Sequence, residues 1–256
     1  MIYSVVANKG GVGKTTFCTN VVAILSQKKK AKTLLIDMDA QANCSIAFGL
    51  NPKDHKKNVY EVLLRSVPAE DAIIKIYKNL FFLPAHYDLN FLEKDVYENK
   101  ERYPNPYLLL TKSIENIRDK YDYIFIDTPP SLDLRVSNAL VCCDKVIIPV
   151  EPDSYAVKGL AAEIQAINDC RNINKNLQIA GVVGMQVDKR MSLHNDMMQE
   201  IRRYLHKHKI RIFDTVIPRT VRFASSVAYE KKPAVLVHKK NELVNAYYAL
   251  VKEMFE

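Results

Sequence analysis

Between Ala7 and Thr16 the chain reads ANKGGVGKTT. Gly13, Lys14 and Thr15 complete the phosphate-binding pattern G-x-x-x-x-G-K-[ST], but Asn8 occupies the position where that pattern opens on glycine, and an additional lysine, Lys9, follows it. Backbone N–H groups of Gly10, Gly11, Val12 and Gly13 suit phosphate oxygens, and a helix beginning at Lys14 would add the positive end of its dipole. Lys14 is then expected to meet the β and γ phosphates of a nucleotide such as ATP. The Thr15 hydroxyl would reach a Mg²⁺ ion, with Thr16 completing the loop.

Two further segments place carboxylates where apolar runs end. LLIDMDAQ carries Asp37 and Asp39 two residues apart, a spacing that keeps one near a sheet and sends the other into a site. Next to a phosphate that already bears charge, such a carboxylate is useful when it orients a water or holds a metal ion. On its own the pair is equally consistent with a capped turn. YIFIDTPPS ends a buried strand in Asp127, the arrangement of an acid on the Mg²⁺ side of the phosphates, with Pro129 and Pro130 stiffening the loop after it.

These residues must be positioned by the elements around them. IYSVVA, TLLID, NLFFLPA, YDYIFID, KVIIPV, IAGVVGMQV and DTVIP read as strands. Helical patterns cover Lys14 to about Lys30, VYEVLL and AIIKIY between Asn58 and Tyr77, LLLTKSIENI, SNALVCC, AVKGLAAEIQAIND, LHNDMMQEIRRYLHKH and NELVNAYYALVKEMF. Near-continuous apolar strands alternating with helices predict an α/β fold, a mostly parallel twisted sheet with helices on both faces. Ligands of such sheets bind beyond the carboxyl ends of the strands, where all three motifs fall.

The 256 residues, 48% hydrophobic and without a Gly/Ser/Pro-rich linker, predict one domain over 1–256. Five cysteines without C-x-x-C spacing predict buried, reduced thiols and a cytoplasmic location. The net charge of +8 is uneven: residues 1–170 hold 21 Lys and Arg against 21 Asp and Glu, whereas residues 171–256 hold 16 against 8. Excess confined to one region suits a polyanion, although a solvated surface has the same composition.

The succession KGGVGKTT, DMDAQ, FIDTPPS and VIPRTVRFASS resembles the ParA-type partition ATPases, a deviant-Walker P-loop family, over essentially the whole chain. The resemblance implies that Lys9 is a signature lysine reaching the partner's ATP in a homodimer formed on ATP binding, which removes the need for the first glycine. It further implies that Asp39 positions the attacking water, that Thr15, Asp37 and Asp127 serve the metal, and that Gln41 belongs to the same switch segment. Ala40 departs from the proline common there. Arg190 and Arg222 would contact nonspecific DNA, and Pro218 and Arg219 would lie near the nucleotide base. Arg202, Arg203, Lys207 and Lys209 would extend the basic surface or simply be solvated.

The expectation is therefore a Mg²⁺-dependent partition ATPase, nucleoid-associated, released from DNA when a ParB-type centromere-binding partner stimulates hydrolysis. The alternative is a MinD-type membrane-cycling ATPase. That reading wants a basic amphipathic terminal helix, whereas the sequence ends in VKEMFE, so no stable membrane association is expected. A metal-cluster ATPase would want bridging cysteines in loops, and Cys142 and Cys143 fall in a helical pattern. A repressor would want an N-terminal helix-turn-helix extension, for which no residues precede the first strand. Residues 51–103 carry no readable motif.

Overall fold

The computed structural model describes residues 1–256. Seven strands, β1 (Ile2–Val5), β2 (Thr33–Asp37), β3 (Ile74–Tyr77), β4 (Leu80–Leu83), β5 (Tyr123–Asp127), β6 (Lys145–Val150) and β7 (Gln178–Gly184), form one sheet. Its order is β3-β4-β2-β5-β1-β6-β7, parallel throughout except for the antiparallel β3–β4 pair. The β-branched and aromatic runs of the central strands are buried on both faces, as a helix-covered parallel sheet requires.

Helices α1 (Lys14–Gln27), α2 (Asn43–Ala47), α3 (Val59–Leu64), α4 (Ala69–Ala72), α5 (Leu92–Glu98) and α6 (Leu109–Ile114) belong to the first half of the chain. They are followed by α7 (Leu134–Cys142), α8 (Ala156–Cys170), α9 (Ser192–Lys207), α10 (Arg222–Ser225), α11 (Ala234–Val237) and α12 (Glu242–Phe255). Two apolar clusters lie on the two sides of the sheet. One joins α3, α7, α8 and α9 to it, and the other joins α1, α11 and α12.

The second cluster anchors the helix that begins the phosphate loop. Phe17 of α1 faces Tyr247 of α12 with ring centroids 6.4 Å apart, and Val244, Leu250 and Val251 are buried beside them. Each such side chain contributes about 1.5–3 kcal/mol by leaving water. The apolar face of α12 is consequently occupied by protein.

Register matters more than shape for the site. In neighbouring parallel strands, Asp37 of β2 lies opposite Asp127 of β5, and Asp127 lies opposite Val5 of β1. Both acids therefore finish their strands at one level, beside the point where β1 gives way to the glycine-rich loop.

Two expected elements differ. AIIKIY is not helical: α4 stops at Ala72, and Ile74–Tyr77 form the antiparallel edge strand, with Lys75 exposed between half-buried Ile74 and Ile76. The β-branched alternation outweighs the helical period there. DTVIP is not a continuous strand, and only single bridges, Val182 with Ile212 and Val187 with Pro218, run alongside β7. The reason is a competing acceptor from another element: the amides of Asp214 and Thr215 donate to the Glu253 carboxylate of α12 at 2.7 and 2.9 Å instead of to a ladder.

Candidate functional site

The loop after β1 turns through two left-handed glycines, Gly11 at φ 78° and Gly13 at φ 100°. A side chain at Gly13 would also come within 3.0 Å of the Met185 side chain. Asn8 is not left-handed, so the position where the common pattern opens on glycine has no conformational need of one. Its amide instead donates to the Glu163 carboxylate of α8 at 2.7 Å.

Lys14 is buried at the loop's end, its ammonium donating to the carbonyls of Ala7 at 2.8 Å and Lys9 at 3.0 Å. Burial holds its pKa below the ordinary lysine value, against the pull of Asp127 and Asp39. The Thr15 hydroxyl donates to Asp127 at 2.6 Å, joining the phosphate loop to the end of β5.

Asp127 and Asp37 are both fully buried. Burial raises Asp127 to about 6, partly offset by its hydrogen bonds from Thr15 and Cys44, and raises Asp37 well above the usual range with Asp127 as second cause. Asp37 accepts the amides of Asp39 at 3.0 Å and Cys44 at 3.3 Å, so it shapes the segment leading into α2. Asp39 is half-buried and accepts the Gln41 amide at 3.0 Å.

Two buried carboxylates and a hydroxyl make an oxygen-donor set that suits Mg²⁺. The Cys44 thiol lies in the same group, 3.2 Å from Asp127, and Cys18 approaches its other oxygen at 3.6 Å. Sequence reasoning took both for structural thiols. Both are buried, but they also hold the acid's orientation.

A cavity of about 660 Å³ opens over the loop. Gly10, Gly11, Gly13, Lys14, Thr15 and Thr16 line it together with Asp39 and Gln41. Its apolar wall, which the sequence had not marked, is Phe223, Ala224, Val227 and Ala228. Pro218 and Arg219 do not line it; they border a second cavity of about 700 Å³ with Asp188 and Arg190. Val12 is buried and faces a third, of about 300 Å³, shared with Lys9, Glu151 and Glu163.

Lys9 points away from the phosphate cavity. Its ammonium pairs with Glu151 and, at 2.6 Å, with Asp153 in the loop after β6. Partial burial pulls its pKa down, yet the hydrogen bonds to Asp153 and Glu151 hold it above the ordinary value. The Arg190 guanidinium is forked onto Asp188 at 2.9 and 2.6 Å, and Arg222 is exposed at the start of α10.

Comparison with known proteins decides the family. The profile described as "AAA domain" matches residues 1–179. The sporulation initiation inhibitor protein Soj of Bacillus subtilis is 33% identical, covering 99% of this chain and 97% of its own. A ParA family protein of Mycoplasma pneumoniae is 31% identical over 93% of this chain and 90% of its own. This chain belongs to the ParA family. Among solved structures, a putative plasmid partition protein of Borrelia burgdorferi bound to AMPPNP has a TM-score of 0.80 at 30% identity, covering 99% of this chain and 97% of that one. The ParA-type motifs at Gly10–Thr16, Asp37–Gln41 and Asp127 thus sit on a ParA-like fold.

Glu163 of this ParA-family chain is a buried carboxylate that no motif had singled out. Burial raises its pKa to about 7, against the lowering effects of the Asn8 amide and Lys14. A carboxyl raised in the folded state binds more protons folded than unfolded. Stability therefore falls as pH rises from the unfolded value near 4.5 to about 7 and is level above that. Glu163→Gln keeps an acceptor for Asn8 and removes the ionisation. In urea titrations of nucleotide-free protein, the variant should match the parent at about pH 4 and exceed it by at most about 3 kcal/mol at about pH 8. Equal differences at both pH values would place the parent's proton elsewhere.

Proposed function

We propose that this protein is an ATP-dependent DNA-partitioning switch: ATP and Mg²⁺ bind at the loop after β1, two subunits close face to face, and the dimer holds nonspecific DNA until hydrolysis releases it. The observation that carries the nucleotide site is the Thr15–Asp127 contact at 2.6 Å beside Lys14 and the left-handed glycines. Thr15 and Asp127, with Asp37 behind them, would hold Mg²⁺, which when bound would supply positive charge against the phosphates. Lys14 turns from backbone carbonyls to phosphate, and Asp39 orients the water for in-line attack.

Dimerisation gives Lys9 its role. Phosphate charge brought by ATP attracts a second cation from the partner, so binding energy for the nucleotide becomes binding energy between subunits. Lys9 must leave Glu151 and Asp153 to make that contact. A ParB-type partner that stimulates hydrolysis is part of the same proposal. Service in chromosome or plasmid segregation is supported by the names of the family's members. Among them is the chromosome partitioning protein ParA of Myxococcus xanthus, 31% identical over 97% of this chain.

The basic last third supplies the DNA surface in this reading. No helix is long and apolar enough to cross a membrane, and the buried face of α12 leaves it no apolar stripe for a lipid surface. The test is binding to random-sequence duplex DNA with ATP, ADP or no nucleotide across a salt series. Binding should require ATP and weaken with a log-log slope of about −4 or steeper, the value for roughly four neutralised phosphates. Arg222→Ala should make that slope shallower by about 1. Arg190→Ala should change it less, because Asp188 already neutralises that guanidinium. Affinity independent of ATP would end the switch reading, and ATP-dependent recruitment to anionic vesicles would put membrane cycling in its place.

A further inference from the structure

Sequence patterns gave Lys231 no role, yet it stands on the wall of the phosphate cavity, exposed, and shares that cavity with Lys14, Thr15 and Asp39. No carboxylate lies within ion-pair distance of its ammonium. The other cations near the loop are engaged: Lys14 on the carbonyls of Ala7 and Lys9, and Lys9 on Glu151 and Asp153.

The backbone has been bent to put it there. α10 runs into a π-helical turn, Ser226–Glu230, and Lys231 closes that turn in the left-handed region at φ 54°. A residue with a Cβ is disfavoured in that conformation, where glycine is the usual occupant. Gly49, beyond α2, makes the space. A side chain at Gly49 would come within 2.9 Å of the Lys231 Cβ and 3.2 Å of its carbonyl oxygen. Strain at one position and the absence of a side chain at another both serve to hold a free cation at a cavity whose floor is a phosphate loop. Backbone strain and π-turns concentrate at functional sites.

We infer that Lys231 is a nucleotide contact, its ammonium pairing in cis with the phosphate chain from the wall formed by Phe223–Lys231. The inference rests on the reading that this cavity takes ATP. It also gives the segment carrying Arg222 a direct link to nucleotide, because the same short stretch runs from that arginine to the cavity wall.

The left-handed backbone supplies a clean test. Lys231→Gly removes the cation and relieves the strain at once, so the variant should fold and melt no lower than the parent. Its affinity for fluorescently labelled ATP should fall about tenfold, the effect of losing one charge-assisted contact. Lys231→Arg should recover most of the loss. The salt dependence of ATP binding should be shallower for the glycine variant than for the parent or the arginine variant, which a purely structural role would not produce. Parent affinity and parent salt dependence in Lys231→Gly would overturn the inference while leaving the ATP site intact, as would an arginine variant as weak as the glycine one. Absence of ATP binding by the parent would remove the nucleotide reading and this inference together.

Discussion

Replacing Lys14 with alanine should weaken ATP binding by at least about a hundredfold, beyond detection in an ordinary equilibrium titration. Two losses add. The ammonium is the one buried cation of the phosphate loop, and phosphate oxygens brought into a partly desolvated cavity without it lose a charge-assisted partner worth about 3 kcal/mol. The carbonyls of Ala7 and Lys9, which accept from Lys14 at 2.8 and 3.0 Å, also lose the donor that holds the unliganded loop in shape, so binding must then reorder a loop that is no longer preorganised. Lys14→Arg separates the two effects. It keeps the charge but cannot fit the same carbonyls without moving the loop, so it should bind more weakly than the parent while remaining detectable. Retention of near-parental affinity in Lys14→Ala would show that the glycine amides and helix dipole alone hold the phosphates.

The three strand ends were legible because a parallel sheet turns sequence order into geometry. An apolar run ending in an acid has only one place to deliver it, and the pairing of Asp37 with Asp127 makes that place common to β2 and β5. The loop's second lysine was legible as a departure from a pattern. Its resting partners were not, since Glu151 and Asp153 follow β6 in a loop whose direction the sequence does not fix.

Residues brought together by long-range packing were the ones missed. Phe223, Val227 and Lys231 reach the phosphate loop only because α11 and α12 pack against α1, placing the segment before them over the cavity. Glu163 could have been found. It falls three residues after Leu160 and four before Ile167, both buried, and so lies on the inner face of α8, where a carboxylate is costly. DTVIP failed for a reason outside its own segment, namely the competing acceptor offered by Glu253.

Asp39→Ala should separate binding from hydrolysis. Asp39 touches neither Lys14 nor Thr15 in any hydrogen bond, so its removal leaves the contacts of the phosphate cradle in place. Its negative charge beside the phosphates is a cost to ATP binding, and the variant should hold ATP at least as tightly as the parent. Hydrolysis should fall by about 10²–10⁴, the usual worth of a group that orients or accepts a proton from the attacking water. A switch that can close but not fire accumulates in its closed state. Under ATP the variant should elute as a dimer and remain on duplex DNA after a chase with competitor, while the parent dissociates as it turns over. Asp39→Asn is the sharper form, because its oxygen can still accept the Gln41 amide and keep the segment's shape. If both variants hydrolyse ATP at the parental rate, the water is oriented by another group, and Gln41, which lines the same cavity, becomes the residue to replace.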